Sequence, residues 1–260
     1  MKKYGIIPSR FGSSRFPGKP LAMLAGKPLV AWVVEQVKKA KSLDEVFVAT
    51  DDERIVKAVE EHGGVAVMTP SELPSGTDRI ACAARNRFGG DFGDDDILVN
   101  IQGDEPLIDP KLVDELVAKL KDGKGFEMAT AVTPIKNAAD LAAKTVVKVV
   151  LDREDRALYF SRAAIPCDRD REPFGERQAY DSKELYVRHL GIYAYRGGFL
   201  KRYIKEPPCA LEKTEKLEQL RALWMGAKIA VVKTDDEGVG VDTPEDAKRV
   251  EALLLARSNV

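Results

Sequence analysis

A chain of 260 residues suits one large α/β domain, or a domain with a sizeable insertion. Lys plus Arg is 41 and Asp plus Glu is 42, a net charge of -1, so no global basic excess points to nucleic acid and any anion site must be local. Cys82, Cys167 and Cys209 are dispersed and form no CxxC, which argues against a disulfide framework or a zinc site and for a reduced, cytoplasmic setting.

The chain opens with "YGIIP", a strand whose apolar run breaks at Pro8, too soon for the apolar core of a signal peptide. No apolar run is long enough for a membrane span, so no membrane partner is expected. A glycine-rich basic loop follows. "PLVAWVVEQVKKA" then places Leu29, Val33 and Val37 on one helical face. "EVFVAT" reads as a short buried strand. Asp51 or Asp52 can cap the next helix, "ERIVKAVEEH", which stops at Gly63-Gly64. "VAVM" and "DDILVNIQ" are further strands. Asp109-Pro110 supplies an N-cap and a first-turn proline for "KLVDELVAKL". Strands alternating with helices predict a doubly wound, mostly parallel sheet.

The second half is more mixed. "TVVKVVLD", "ALYFSRAAIP" and "HLGIYAYR" read as strands and connections, and "EKTEKLEQLRALWMG" as one helix ending at Gly226. Cys167 to Glu184 is polar and charged and reads as a surface loop. "DTPEDAKRVEALLLA" is a final helix, with Thr243 as N-cap and Pro244 in first position. Trp32 and Trp224 read as packing or subunit contacts.

Three stretches carry chemistry. "IPSRFGSSRFPGKPL", Ile7 to Leu21, is neither a Walker A loop nor a dinucleotide fingerprint: Gly12 and Gly18 are one residue too far apart, Pro20 follows Lys19, and GxGxxG is missing. Its glycines still permit close backbone approach. Ser13 and Ser14 can donate, and Arg10, Arg15 and Lys19 supply charge for a polyphosphate. "NIQGDEPLI" puts Asp104 at the end of a strand, where open α/β sheets bind ligands. "VGVDTPED" puts Asp242 just ahead of a helix. If they converge, the two carboxylates can hold Mg2+ against a triphosphate. Singly, each stretch also has a plain reading: a solvated loop, a turn aspartate, a helix-start aspartate.

Together with "ATDDERI", "SGTDRI", "KVVLDREDRALYFSRAAIP", "RHLGIYAYR" and "TEKLEQLRAL", these motifs resemble the 3-deoxy-manno-octulosonate (Kdo) cytidylyltransferases, in the family's own order and over nearly the whole chain. The first loop is shared with many sugar nucleotidyltransferases; "QGDEP", "ALYFSR", "HLGIY" and "LEQLR" are more specific. The resemblance implies a nucleotidyltransferase-like fold over 1–260, with an inserted sugar-binding and dimerisation subregion at approximately 145–225. It implies a transferase that converts CTP and Kdo to CMP-Kdo and pyrophosphate for lipopolysaccharide biosynthesis, with Mg2+, as a cytoplasmic homodimer.

Carried over by residue, Lys19, Asp104 and Asp242 are catalytic, and Asp104 and Asp242 are the metal ligands. Arg10, Ser14, Arg15, Lys19, Ser75 and Arg79 bind the nucleotide. Gln102, Arg162, His189, Tyr193, Glu218 and Gln219 surround the sugar. An arginine suits its carboxylate: Arg162 can pair with it bidentately. His189 and Tyr193, four apart, share a strand face. Glu218 and Gln219 are neighbours about 100° apart on a helix, so they can line one site only if the helix end or a side faces it. "GDEP" favours Kdo over its 8-amino derivative, whose enzymes can read "GDQP". Asp155-Arg156 departs from a usual glycine-aromatic pair and bears on turn shape. The rival readings are a cytidylyltransferase for 8-amino-Kdo or sialic acid, and a non-catalytic nucleotide-binding protein on the same fold.

Overall fold

The structure is a computed structural model that describes residues 1–12, 16–170 and 185–258. Strand β1 (Lys3–Ser9) pairs in parallel with β4 (Glu45–Thr50) and β6 (Ile97–Asn100), and β5 (Ala66–Met68) continues the parallel run beyond β4. On the other side β10 (Val187–Arg196) runs antiparallel between β6 and β7 (Met128–Pro134), and β11 (Ile229–Lys233) lies parallel to β7 at the edge. The order is β11-β7-β10-β6-β1-β4-β5. The hairpin of β8 (Lys148–Leu151) and β9 (Ala157–Ser161) joins this sheet through β10. Segment 145–225 therefore contributes a central strand as well as the hairpin. A small hairpin, β2 (Met23–Leu24) and β3 (Lys27–Pro28), stands apart.

Adjacent strand residues point to opposite faces. Ile7, Val48 and Val99 enter one core; their neighbours Ile6, Phe47 and Leu98 enter the other. Both faces are thus apolar and both are covered, as a doubly wound sheet requires. Helices α1 (Leu29–Val37), α2 (Glu53–Glu61) and α4 (Pro110–Lys121) pack on the first face. The second takes α3 (Gly76–Phe88) through Ile80, Ala81, Ala83 and Ala84. Further along the chain come α5 (Ala138–Ala142), α6 (Gly197–Tyr203), α7 (Ala210–Glu215), α8 (Gln219–Trp224) and α9 (Pro244–Ser258). Neither α3 nor β7 figures among the expected elements.

The expected caps form where side chains can reach. Asp52 accepts from the Arg54 amide at 2.9 Å and starts α2; Asp109 does the same for Lys111 and α4. Thr243 Oγ1 accepts from the Asp246 amide at 3.2 Å, while the Asp246 carboxylate accepts from the Thr243 amide, a reciprocal capping box.

The one long helix expected over Glu212–Gly226 is instead two. It breaks at Lys216, which takes the left-handed conformation at φ 55°. Two things divert the chain. Arg162 Nε donates to the Glu215 carbonyl at 2.7 Å, taking a helix-end acceptor, and Leu217 drops into the core.

Candidate active site

The site lies where parallel strands end. β1 runs into Arg10, and β6 runs into Gln102-Gly103-Asp104. Gly103 is required by close approach: a Cβ there would sit 2.9 Å from the Pro8 carbonyl oxygen. Gly18, at φ 69°, turns the first loop into a single 3-10 turn that begins with Lys19. The Lys19 ammonium reaches Asp104 Oδ2 at 2.6 Å and Asp242 Oδ1 at 3.3 Å. Two carboxylates far apart in sequence thus meet around one cation. The Val241 amide donates to the Asp104 carbonyl at 2.9 Å and fixes one carrier segment on the other.

Beside this cluster, linked through Gln102-Gly103, opens a cavity of about 370 Å³. Of the expected residues it gathers Arg10, Arg79, Gln102, His189, Tyr193, Glu218 and Gln219; Thr77, Asn100 and Lys216 also line it. The helix break brings Glu218 and Gln219 in together, because Glu218 is the N-cap residue of α8 and Gln219 its first residue. Glu218 Oε2 accepts from Thr77 Oγ1 at 3.1 Å, and the Tyr203 hydroxyl donates to the Glu218 carbonyl at 2.9 Å. The Tyr193 hydroxyl donates to Gln219 Oε1 at 3.3 Å. His189 shares a 2.8 Å hydrogen bond with Thr130 Oγ1 and lies against Tyr193, ring centroids 5.3 Å apart. Gln102 Nε2 donates to the Gly191 carbonyl.

Arg79 is 1% exposed, with Nη1 on Thr69 Oγ1 at 2.6 Å and Nη2 on Asp51 Oδ2 at 3.3 Å. Asp51 and Asp52 therefore divide their work: Asp52 caps α2 and Asp51 balances a cation at the cavity. Two cavity atoms are buried without a protein partner, Asn100 Oδ1 and Gln219 Nε2; Ser9 Oγ, at the end of β1, is a third such atom nearby in the chain. An unsatisfied buried donor or acceptor is costly. An acceptor and a donor left open at one cavity are what a polar ligand would satisfy.

Burial sets the protonation states. It pushes His189 down to about 3, so the imidazole is neutral at ordinary pH. Burial raises the Tyr193 hydroxyl well above its usual range and also raises Glu218, against the hydrogen bond from Thr77. Glu105 is pushed up to about 7, first by burial and then by the charges of Asp104 and Asp236.

Other expected residues sit elsewhere. Ser75 caps α3, its Oγ accepting from the Asp78 amide at 3.1 Å. Ser13, Ser14, Arg15 and the loop beyond Asp170 lie outside the described residues. Arg162 stands behind the cavity wall: Nε donates to Glu215 O, Nη1 to Lys144 O at 2.9 Å, and Nη2 to Lys216 O at 3.4 Å. With these donors on backbone carbonyls, Arg162 braces the wall. Lys216 is a cation that lines this wall. The sequence reading missed Asn100, Thr77 and Lys216. Asn100 had a signal, as a polar side chain ending an apolar strand; Lys216 had none, since its place depends on the helix break.

A family model described as cytidylyltransferase matches residues 4–229. A 3-deoxy-manno-octulosonate cytidylyltransferase of Bdellovibrio bacteriovorus is 48% identical, with 99% of each chain covered. One of Geobacter sulfurreducens is 47% identical, covering 94% of this chain and 96% of that one. A solved CMP:2-keto-3-deoxy-manno-octonic acid synthetase complexed with CTP superposes with a TM-score of 0.87 at 39% identity, over 99% of this chain and 100% of that one. Kinship at this level, end to end, settles the placement: the chain belongs to the cytidylyltransferase family.

Proposed function

We propose that this enzyme transfers the cytidylyl group of CTP to Kdo, giving CMP-Kdo and pyrophosphate, and so serves lipopolysaccharide biosynthesis. The observation that carries the reading is the meeting of Lys19, Asp104 and Asp242 beside a polar cavity with an unpaired acceptor and donor. Full-length identity to enzymes named for this reaction supports the choice of sugar.

Mg2+ fits the donor set. Asp104 and Asp242 are hard oxygen ligands that already face one cation, and magnesium is commonly held by one or two carboxylates completed by substrate phosphates. When bound, it would neutralise phosphate charge at the reacting centre.

The chain's own residues account for the rest. Arg10 and Lys19 face the triphosphate and stabilise charge that builds on the departing pyrophosphate. Arg79 and Ser75, at the start of α3, stand on the nucleoside side. Gln102, His189, Tyr193, Glu218 and Gln219 orient the acid sugar. Its anomeric 2-hydroxyl gives its proton to solvent as its oxygen bonds to the α-phosphorus in line, and the bridging bond to the β-phosphate breaks to release pyrophosphate. No covalent enzyme intermediate is needed. We place the subunit contact of a homodimer in segment 145–225.

Pyrophosphate release from CTP and Mg2+, with Kdo, 8-amino-Kdo and sialic acid in parallel, tests the reading. Release with Kdo alone supports it. Release only with another acid sugar moves the substrate, and silence with all three favours a nucleotide-binding protein on the same fold.

A further inference from the structure

Lys148 is an unexpected buried charge. It sits in β8, is 0% exposed, and takes no part in the reaction described above. Its ammonium donates to three backbone carbonyls: Arg162 at 2.6 Å, Val146 at 2.7 Å and Ala143 at 2.9 Å. Burying an ammonium is expensive, and neutral carbonyls alone are a poor return for it. Burial and the nearby Arg162 push its pKa down, while Glu215 acts the other way.

The partners explain the placement. Arg162, held at its carbonyl by Lys148, extends its side chain to the carbonyls of Glu215 and Lys216. The Glu215 carboxylate answers by accepting from the Arg162 amide at 2.9 Å and from Ser161 Oγ at 2.7 Å. Glu215 ends α7, Lys216 is the left-handed residue, and Glu218 and Gln219 follow at the cavity. A second link runs from the same turn: the His189 amide donates to the Val147 carbonyl at 2.8 Å.

We infer that Lys148 is a positioning residue, whose buried ammonium fixes Arg162 and, through it, the bend that carries Lys216, Glu218 and Gln219 to the acid-sugar side of the cavity. This inference rests on the proposed function for its kinetic consequence. Its structural consequence stands apart from it.

The test uses Lys148→Met, which keeps length and loses the donors, with Arg162→Gln and the double variant. Two measurements are made on each: KM for CTP and for Kdo, and amide hydrogen exchange across residues 213–220. The expected result is a roughly tenfold or larger rise in KM for Kdo, little change in KM for CTP, and faster exchange at 213–220 but not in β1. The double variant should be no worse than the poorer single one, because both cut the same strut. Arg162→Gln keeps the question open to test if Lys148→Met folds poorly. An unchanged KM for Kdo, an equal rise for CTP, or unchanged exchange at 213–220 overturns the inference. A wild type that releases no pyrophosphate with any acid sugar defeats the proposed function instead, and exchange alone then decides the positioning role.

Discussion

The amide of Val241 donates to the carbonyl of Asp104 at 2.9 Å, and this bond joins the two segments whose carboxylates share the Lys19 ammonium. The acidic pair is therefore held by backbone before any ligand arrives, which is the preorganisation that charge stabilisation needs. Asp104→Asn and Asp242→Asn should each lower kcat roughly a hundredfold or more at saturating Mg2+, with the double variant far from additive. Pyrophosphate release across a Mg2+ titration checks this; near-normal turnover by Asp104→Asn would remove it from the metal site.

Gly103 allows that arrangement by its lack of a side chain. Gly103→Ala would drive a Cβ to within 2.9 Å of the Pro8 carbonyl and force the Gln102–Asp104 turn outward. Catalysis should suffer more than folding, since a displacement near an ångström at a reacting group costs about a hundredfold. Comparing kcat/KM with the urea midpoint separates the two effects. A large stability loss with normal kcat/KM in the folded fraction would contradict it.

If Gln219 reads the sugar, it exchanges stability for binding. Its Nε2 is buried without a partner, while Oε1 takes a 3.3 Å bond from Tyr193. Gln219→Met removes the costly orphan and a weak bond together, so stability should stay within about 1 kcal/mol of the wild type. KM for the acid sugar should rise about tenfold, because a polar group of the substrate then faces an apolar side chain. Thermal unfolding paired with kinetics measures both arms.

His189 gives the protein an acid-sensitive step. Its folded pKa is about 3, set by burial, against about 6.5 when unfolded. The unfolded chain therefore binds the extra proton between those values, and stability falls as pH drops through that window. Well above pH 6.5 nothing is lost; by pH 5 the loss is about 2 kcal/mol. His189→Gln should flatten this acid limb in urea unfolding at pH 5 and 7. An unchanged slope would mean that other groups set it.

Glu212 and Arg221 form a buried pair, with Arg221 Nε donating to Glu212 Oε2 at 2.7 Å and side chains only 9% and 8% exposed. Glu212→Ala leaves a buried guanidinium unpaired and should cost about 3–5 kcal/mol. Glu212→Leu with Arg221→Met should recover much of that loss, as seen in the denaturation midpoint. Failure to recover would mean that Arg221 matters mainly through Glu206 and Tyr203, which it also contacts.

Much of this molecule was legible locally. Apolar runs such as "EVFVAT" and "ILVN" became strands because both sheet faces are buried, and Asp52, Asp109 and Thr243 became caps because a cap needs only a short side chain and the next turn. The close approach that Gly103 allows, 2.9 Å from a would-be Cβ to the Pro8 carbonyl, showed only in the fold. Motif order was enough to suggest the family.

What only the tertiary structure decided rests on contacts between distant segments. Helical periodicity runs straight through "EKTEKLEQLRAL", yet the helix breaks at Lys216, because Arg162 takes the Glu215 and Lys216 carbonyls and Leu217 finds the core. That break brings Glu218 and Gln219 into one cavity, and Arg162 braces it through the Glu215 and Lys216 carbonyls. The same holds for Lys148, an ordinary strand residue in sequence and a fully buried cation in the fold. Local propensity sees a few neighbours along the chain; the partners of Lys19, Arg162 and Lys148 were chosen by the packing of whole elements, which no local pattern records.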